Sequence, residues 1–167
     1  MNQINIDYFY CKKFVVISPD AGGIKRIQDW AEQLNCAYTF LTKSRNHNAI
    51  SEITKHELVH QIDFTGKRAL LVDDIGDTIG TLNSAAKILK EKGATEVIAA
   101  VTHGIFSGNA FKYLEESYID RIYVTNTLPQ EKNCAKSDKI KVVDLSELFA
   151  NAILSCINAS SMSALFQ

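Results

Sequence analysis

The chain has 167 residues, 46% of them hydrophobic and 22% charged, with 18 basic against 19 acidic side chains and a net charge of −1. That length holds one full-sized domain with its own core, and it excludes neither an enzyme nor a binding module. The charge balance gives no electrostatic reason to expect nucleic acid or an anionic membrane as partner, and no apolar run reaches the length of a membrane span. Residues 1–7 are too polar for a signal peptide. Cys11, Cys36, Cys134 and Cys156 are widely spaced without a C-x-x-C pair, and they read as reduced thiols in a cytoplasmic protein.

In chain order, the apolar run 14–17 predicts a buried strand, followed by loop chemistry at Pro19, Asp20, Ala21, Gly22 and Gly23. Ile24, Ile27, Ala31 and Leu34 then fall at helical spacing. A second strand is expected over 37–41. Lys43 and Arg45 follow on what reads as a loop leading into Asn46-His47-Asn48. The next strand, 69–72, runs straight into Asp73 and Asp74, and then into Asp77, Thr78, Ile79, Gly80 and Thr81 before a helix over 82–92. Lys90 and Lys92 suit that helix's C-terminal end, and Gly93 supplies its stop. Strands over 97–101, 121–125 and 140–143 alternate with helices near 109–116 and 147–157. Strand–helix alternation with continuous apolar strands implies one α/β domain, a mostly parallel sheet with helices on both faces. The expected division is a lead-in over 1–13 and the domain over 14–167.

Ligands of open α/β sheets bind beyond the carboxyl ends of strands, where loops splay apart. Asp73 and Asp74 stand there, able to accept hydrogen bonds from vicinal hydroxyls or to meet a metal ion. Residues 77–81 add main-chain N–H groups, hydroxyls and a helix N-terminus, the equipment for a phosphate. Together they suit a sugar phosphate. The segment is neither a Walker loop nor a dinucleotide G-x-G-x-x-G. Asp20, Ala21, Gly22 and Gly23 repeat the strand, glycine loop and helix order. Asp20 there is either a helix cap or a hard oxygen ligand for Mg²⁺. Lys43 and Arg45 are either a solvated pair or cations that neutralise a polyphosphate. His56-Glu57-Leu58-Val59-His60 matches H-E-x-x-H, which needs a helix and a third ligand to bind zinc. Asp63 sits where the longer motif wants glycine, no glutamate occurs between Glu57 and Glu91, and the match reads as chance.

The run Leu70-Leu71-Val72-Asp73-Asp74 with Asp77-Thr78-Ile79-Gly80-Thr81 resembles the signature shared by phosphoribosyltransferases and phosphoribosyl pyrophosphate (PRPP) synthases. The segments 102–110 and 124–130, in which spacing alone shows no chemistry, resemble stretches particular to PRPP synthases. The resemblance covers nearly everything from Phe14 to Phe166. It implies a ribose-phosphate diphosphokinase, or its catalytic C-terminal half. Such an enzyme transfers diphosphate from Mg-ATP to ribose 5-phosphate, giving PRPP and AMP. By the same resemblance Asp73 and Asp74 hold the ribose hydroxyls, Asp77 to Thr81 the 5-phosphate, and Asp20 to Gly23 the pyrophosphate, with Asp20 a ligand of Mg²⁺. Lys43 is then catalytic and Arg45 contacts substrate phosphate, although Asn46-His47-Asn48 departs from the more basic continuation usual in the family. Ser161, Ser163 and Phe166 correspond to positions that bind regulatory ADP or phosphate; read without the resemblance they are a plain tail. Members of the family are about twice this length, built from two similar halves, and only the second matches. The first half supplies a magnesium-binding histidine and much of the ATP site. The implied partners are ribose 5-phosphate, ATP and either further copies of the chain or a full-length or N-terminal-half homologue. Two alternatives remain: a non-catalytic or regulatory subunit that binds phosphoribosyl ligands, and a phosphoribosyltransferase.

Overall fold

A computed structural model of the chain describes residues 14–45 and 54–166, with the main chain alone at 43–45, 54–56 and 166. The expected lead-in and the stretch 46–53 lie outside the described residues. Seven strands form one sheet: β1 (Phe14–Ser18), β2 (Ala37–Arg45), β3 (Thr54–Leu58), β4 (Arg68–Gly76), β5 (Glu96–Gly104), β6 (Arg121–Thr125) and β7 (Ile140–Val143). Their order is β3-β2-β1-β4-β5-β6-β7, parallel throughout except for the β2–β3 pair. Helices α1 (Ile24–Leu34), α2 (Gly80–Glu91), α3 (Ala110–Glu115), α4 (Glu131–Cys134) and α5 (Ser146–Ile157) connect or follow the strands.

The period-2 alternation of each strand sends its side chains into two separate cores. Val15, Ile17, Leu71, Ala99 and Val101 pack with Leu82, Ala85 and Leu89 of α2 and Leu114 of α3. Phe14, Val16, Leu70 and Val72 pack on the other face with Ile27 and Ala31 of α1. All five residues of β1 are buried, as a central parallel strand requires. The sheet is therefore covered on both faces, as the apolar runs predict. No helix among the described residues is long and apolar enough to cross a membrane.

Helix ends obey local chemistry. At the end of α2, Gly93 takes φ 94°, its N–H donates to Lys90 O (2.9 Å), and Ala94 N–H donates to Leu89 O (3.0 Å). These two bonds close a Schellman motif at the glycine expected to stop the helix. Asn35 closes α1 in the same way at φ 47°, with Cys36 N–H donating to Ala31 O (3.0 Å).

One expectation is corrected. β2 does not end at residue 41 but runs to Arg45, so Lys43 and Arg45 stand on a strand rather than a loop. They are held there because β3 pairs antiparallel with it, Lys43 opposite His56 and Arg45 opposite Thr54. The same pairing makes His56-Glu57-Leu58 strand, with His60 beyond its end, so the helical face that a zinc H-E-x-x-H requires does not exist.

The strand order reverses at β1. The chain leaves it for β2 on one side and returns through β4 on the other, so the loops at the carboxyl ends of these two neighbours diverge. That is the topological switch point where open α/β sheets bind ligands.

One close approach carries a stability prediction. A Cβ at Gly104, the end of β5, would stand 2.7 Å from Phe106 Cε2 and 3.0 Å from Val124 Cγ1. Gly104→Ala is expected to lower stability by about 1–3 kcal/mol, the ordinary cost of overpacking a core. The urea midpoint should drop at an unchanged m-value. An unchanged midpoint would mean that Phe106 swings aside at no cost.

Candidate functional site

The site is built on the two loops of the switch point. After β1, Asp20 caps the 3₁₀ turn Ala21–Gly23, its Oδ1 accepting from Gly22 N–H (2.8 Å) and Gly23 N–H (3.3 Å). Gly23 is packed so close to β1 that a Cβ would lie 2.3 Å from Ser18 Oγ. The capping role open in the sequence is thus the one the chain adopts. It leaves Asp20 exposed, with its second carboxylate oxygen not used by the cap.

At the end of β4, Asp73 is half-buried and Asp74 exposed, and both are gripped by one residue of α1. Arg26 Nη1 donates to Asp73 Oδ1 (3.3 Å) and Arg26 Nη2 to Asp74 Oδ2 (2.9 Å). Asp74 N–H also donates to Asp73 Oδ1 (2.9 Å). Burial pushes the Asp73 carboxyl above the ordinary carboxylate value. The Asp74 beside it and the Asp20 charge across the loops add to the rise, against the Asp74 N–H. Asp74 ends below the ordinary value: its slight burial pushes upward, but the Arg26 guanidinium and its hydrogen bonds outweigh that. β1 and β4 are parallel neighbours in the sheet, so the loops at their carboxyl ends open at one mouth.

Beyond the pair, Asp77, Thr78 and Thr81 are exposed while Ile79 is buried, and Ile79 adopts the left-handed region at φ 65°. That is strained backbone for a β-branched residue. Gly80 opens α2, whose first turn carries neither an acidic residue nor a side-chain cap. The helix N-terminus is left with its partial positive charge uncompensated, which suits an anion.

The structure thus brings Asp20, Ala21, Gly22 and Gly23 together with Asp73, Asp74 and the 77–81 loop. Lys43 and Arg45 lie on β2, separated from β4 by β1 alone, at the same end of the sheet. Ser161 and Ser163 are exposed, Ser161 just before and Ser163 within the 3₁₀ turn Met162–Phe166, which follows α5 and contacts it, Cys156 Sγ lying 4.0 Å from Met162 Sδ. That turn belongs to the far side of the sheet from β2.

Arg26 is the residue that sequence reasoning passed over. Nothing in the string Lys25-Arg26 distinguishes the two cations. Helix phase does: with Ile27 and Ala31 buried on the sheet, Lys25 is exposed and Arg26 half-buried at its rim.

Among the described residues no three His, Cys, Asp or Glu side chains are grouped to hold a metal ion. Magnesium does not need such a cage. It is commonly held by one or two carboxylates together with waters and substrate phosphates, so the exposed Asp20 carboxylate fits it.

A parallel sheet reversing at β1, with a glycine turn on one side and an acidic pair plus helix N-terminus on the other, is the phosphoribosyltransferase type of α/β fold. The crystal structure of phosphoribosylpyrophosphate synthetase from Mycobacterium smegmatis superposes with a TM-score of 0.79 at 32% identity, over 92% of this chain and 48% of that one. Residues 41–167 match the family model of the phosphoribosyl synthetase-associated domain. Ribose-phosphate pyrophosphokinase from Aquifex aeolicus is 42% identical over 99% of this chain, and ribose-phosphate pyrophosphokinase 4 from Saccharomyces cerevisiae 45% identical over 91%. The chain belongs to the PRPP synthase family. It spans about half the length of the curated relatives it matches, 53% and 44% of these two.

Proposed function

We propose that this chain is the catalytic C-terminal half of a ribose-phosphate diphosphokinase. The observation that carries the reading is the acidic pair Asp73 and Asp74, held by Arg26 at the switch point and followed at once by the uncapped N-terminus of α2. Two carboxylates accept from vicinal hydroxyls, and residues 77–81 with the helix end receive the 5-phosphate. The sugar's 1-hydroxyl oxygen then faces the β1 loop and forms a bond to the β-phosphorus of ATP. The bond from that phosphorus to the α–β bridging oxygen breaks, AMP leaves, and the hydroxyl proton passes to solvent.

Asp20 would hold Mg²⁺, which when bound neutralises polyphosphate oxygens. Lys43 and Arg45 contribute positive charge toward the diphosphoryl group in transit, so catalysis here is mainly positioning and electrostatics. Ser161, Ser163 and Phe166 are assigned to a regulatory ADP or phosphate, and the protein to the cytoplasm.

Assembly with a first-half domain, or with further copies, is part of the proposal. It is supported by α5, where Phe149, Ile153, Leu154 and Ile157 are exposed by 55%, 59%, 53% and 72%. Contiguous apolar surface of that kind marks an interface. It also favours the second reading, a subunit that binds phosphoribosyl ligands and serves a longer homologue.

The test is AMP formation from Mg-ATP with and without ribose 5-phosphate, by the chain alone and mixed with the first half of the Aquifex relative. Sugar-dependent AMP is expected at least in the mixture. None in either, from a folded chain that still binds ribose 5-phosphate, would favour the non-catalytic subunit. Pyrophosphate released from PRPP on adding a nucleobase would favour a transferase.

A further inference from the structure

The segments 102–110 and 124–130, whose chemistry spacing alone does not show, meet behind the loop assigned to the sugar phosphate. Ile105 N–H and Phe106 N–H both donate to Gly76 O (2.9 and 3.1 Å), and Ser107 N–H donates to Asp77 O (3.2 Å). A trans peptide sets its N–H opposite its carbonyl. Turning the carbonyls of Gly76 and Asp77 toward 105–107 therefore turns the N–H groups of Asp77 and Thr78 the other way. The two loops share a further property. Each carries a buried non-glycine residue at positive φ, Ile79 at 65° and Phe106 at 55°. Backbone of that kind persists only where its surroundings over-determine it.

What holds the second loop is Gln130, a side chain 3% exposed at the end of the β6–α4 connection. Its Nε2 donates to Gly104 O (2.9 Å), the last carbonyl of β5, one residue before the contacts to Gly76 begin. Its Oε1 accepts from Asn133 Nδ2 (2.8 Å), and its own carbonyl accepts from Asn133 and Cys134 N–H (3.0 and 2.8 Å). The amide is thus fixed at both ends and gives its hydrogen bond to main chain. At Gly104 itself the Phe106 ring and Val124 close in, leaving no room even for a Cβ.

We propose that Gln130 is a positioning residue for the sugar-phosphate loop, acting through Gly104 and the 105–107 main chain on the carbonyls of Gly76 and Asp77. The proposal rests on the assignment of residues 77–81 to the 5-phosphate, and it names a residue of that site's support that touches no ligand.

The test uses Gln130→Met, which keeps length and removes the donor, and the milder Asn133→Ala, which frees Oε1. Three quantities are read in the full chain: amide exchange at 105–107, affinity for ribose 5-phosphate, and affinity for magnesium pyrophosphate, assigned to the Asp20 loop. Expected for Gln130→Met are faster exchange at 105–107 and ribose 5-phosphate binding weaker by about 10–100-fold, the scale on which supporting hydrogen bonds act at metal sites. Magnesium pyrophosphate binding should stay as in the parent. Asn133→Ala should move the same way by less, which covers the case in which Gln130→Met does not fold. Unchanged exchange overturns the brace. Faster exchange with unchanged sugar-phosphate affinity overturns its bearing on the site, and equal loss of both ligands reduces Gln130 to a packing residue. A parent chain that binds pyrophosphate but no ribose 5-phosphate overturns the assignment of the 77–81 loop itself, and the positioning role with it.

Discussion

Lys43→Ala is expected to leave ribose 5-phosphate affinity as in the parent and to cut AMP formation by about 10²–10³-fold, the loss typical of one electrostatic group aimed at transition-state charge. β2 sets where Lys43 stands. It pairs with β1 over Ala37–Phe40, where the last partner of β1 is Ser18, and with β3 from Leu41 to Arg45. Lys43 is three residues past that last parallel pair, so its main chain stands roughly 10 Å beyond the end of β1 at about 3.3 Å per residue. Asp20 and its glycines begin at that same end. An ammonium on a four-carbon stem has the reach to meet a diphosphoryl group seated over the β1 loop, while the sugar is assigned to the β4 loop two strands away. The expected signature is a fall in kcat without a rise in KM for the sugar, as for a group that acts only in the transition state. The assay uses the chain with whatever first-half partner its activity requires. AMP formation equal to that of the parent would remove Lys43 from the chemistry and leave the strand as scaffold.

That strand also marks where the sequence stopped being legible. Leu70-Leu71-Val72 running into Asp73-Asp74 declares its own position, because burial on both faces must end where carboxylates begin, although the strand itself stays paired with β5 as far as Gly76. Gly93 likewise declares a helix stop. β3 declares nothing: Thr54-Lys55-His56-Glu57-Leu58 carries no apolar face, and its histidine spacing imitates a helix. It is a strand because β2 is beside it, and that pairing extends β2 past residue 41 through charged residues that alone read as loop. The Arg26 grip on Asp73 joins residues 47 apart in sequence, and the 105–107 brace consists of main-chain bonds that any side chains could accompany. The residues of the candidate site could thus be picked out by type. What aligns its two loops is tertiary, and no local pattern contains it.

The second large effect is expected at Arg26. Arg26→Met keeps the helix and its stem but leaves Asp73 and Asp74 side by side without a cation. Ribose 5-phosphate affinity at pH 7 should fall at least tenfold, about the change produced by 1.4 kcal/mol, because an anionic ligand then meets an uncompensated acidic pair. Its pH dependence should move as well. In the parent, Asp73 lies above the ordinary carboxylate value of 3.8 and Asp74 below it, largely through Arg26. Without Arg26 both rise, so the acidic side of the binding curve shifts to higher pH. The ligand's own second ionisation, near 6, is common to both proteins and drops out of the comparison.

Stability follows from the same shifts. Asp74, depressed on folding, contributes stability that is present above 3.8 and lost as pH falls through its folded value; the variant forfeits it. Asp73, raised on folding, loses stability as pH rises through its folded value, and the variant loses more. Both effects leave the variant weakest relative to its parent at neutral pH, with the gap in melting temperature closing toward pH 3. Arg26 is about one-third exposed, so the neutral-pH gap should also shrink in high salt. A pH-independent gap, or sugar-phosphate affinity equal to the parent's, would mean that Arg26 holds the two loops together by packing alone and that the acidic pair does not need its charge to receive the sugar.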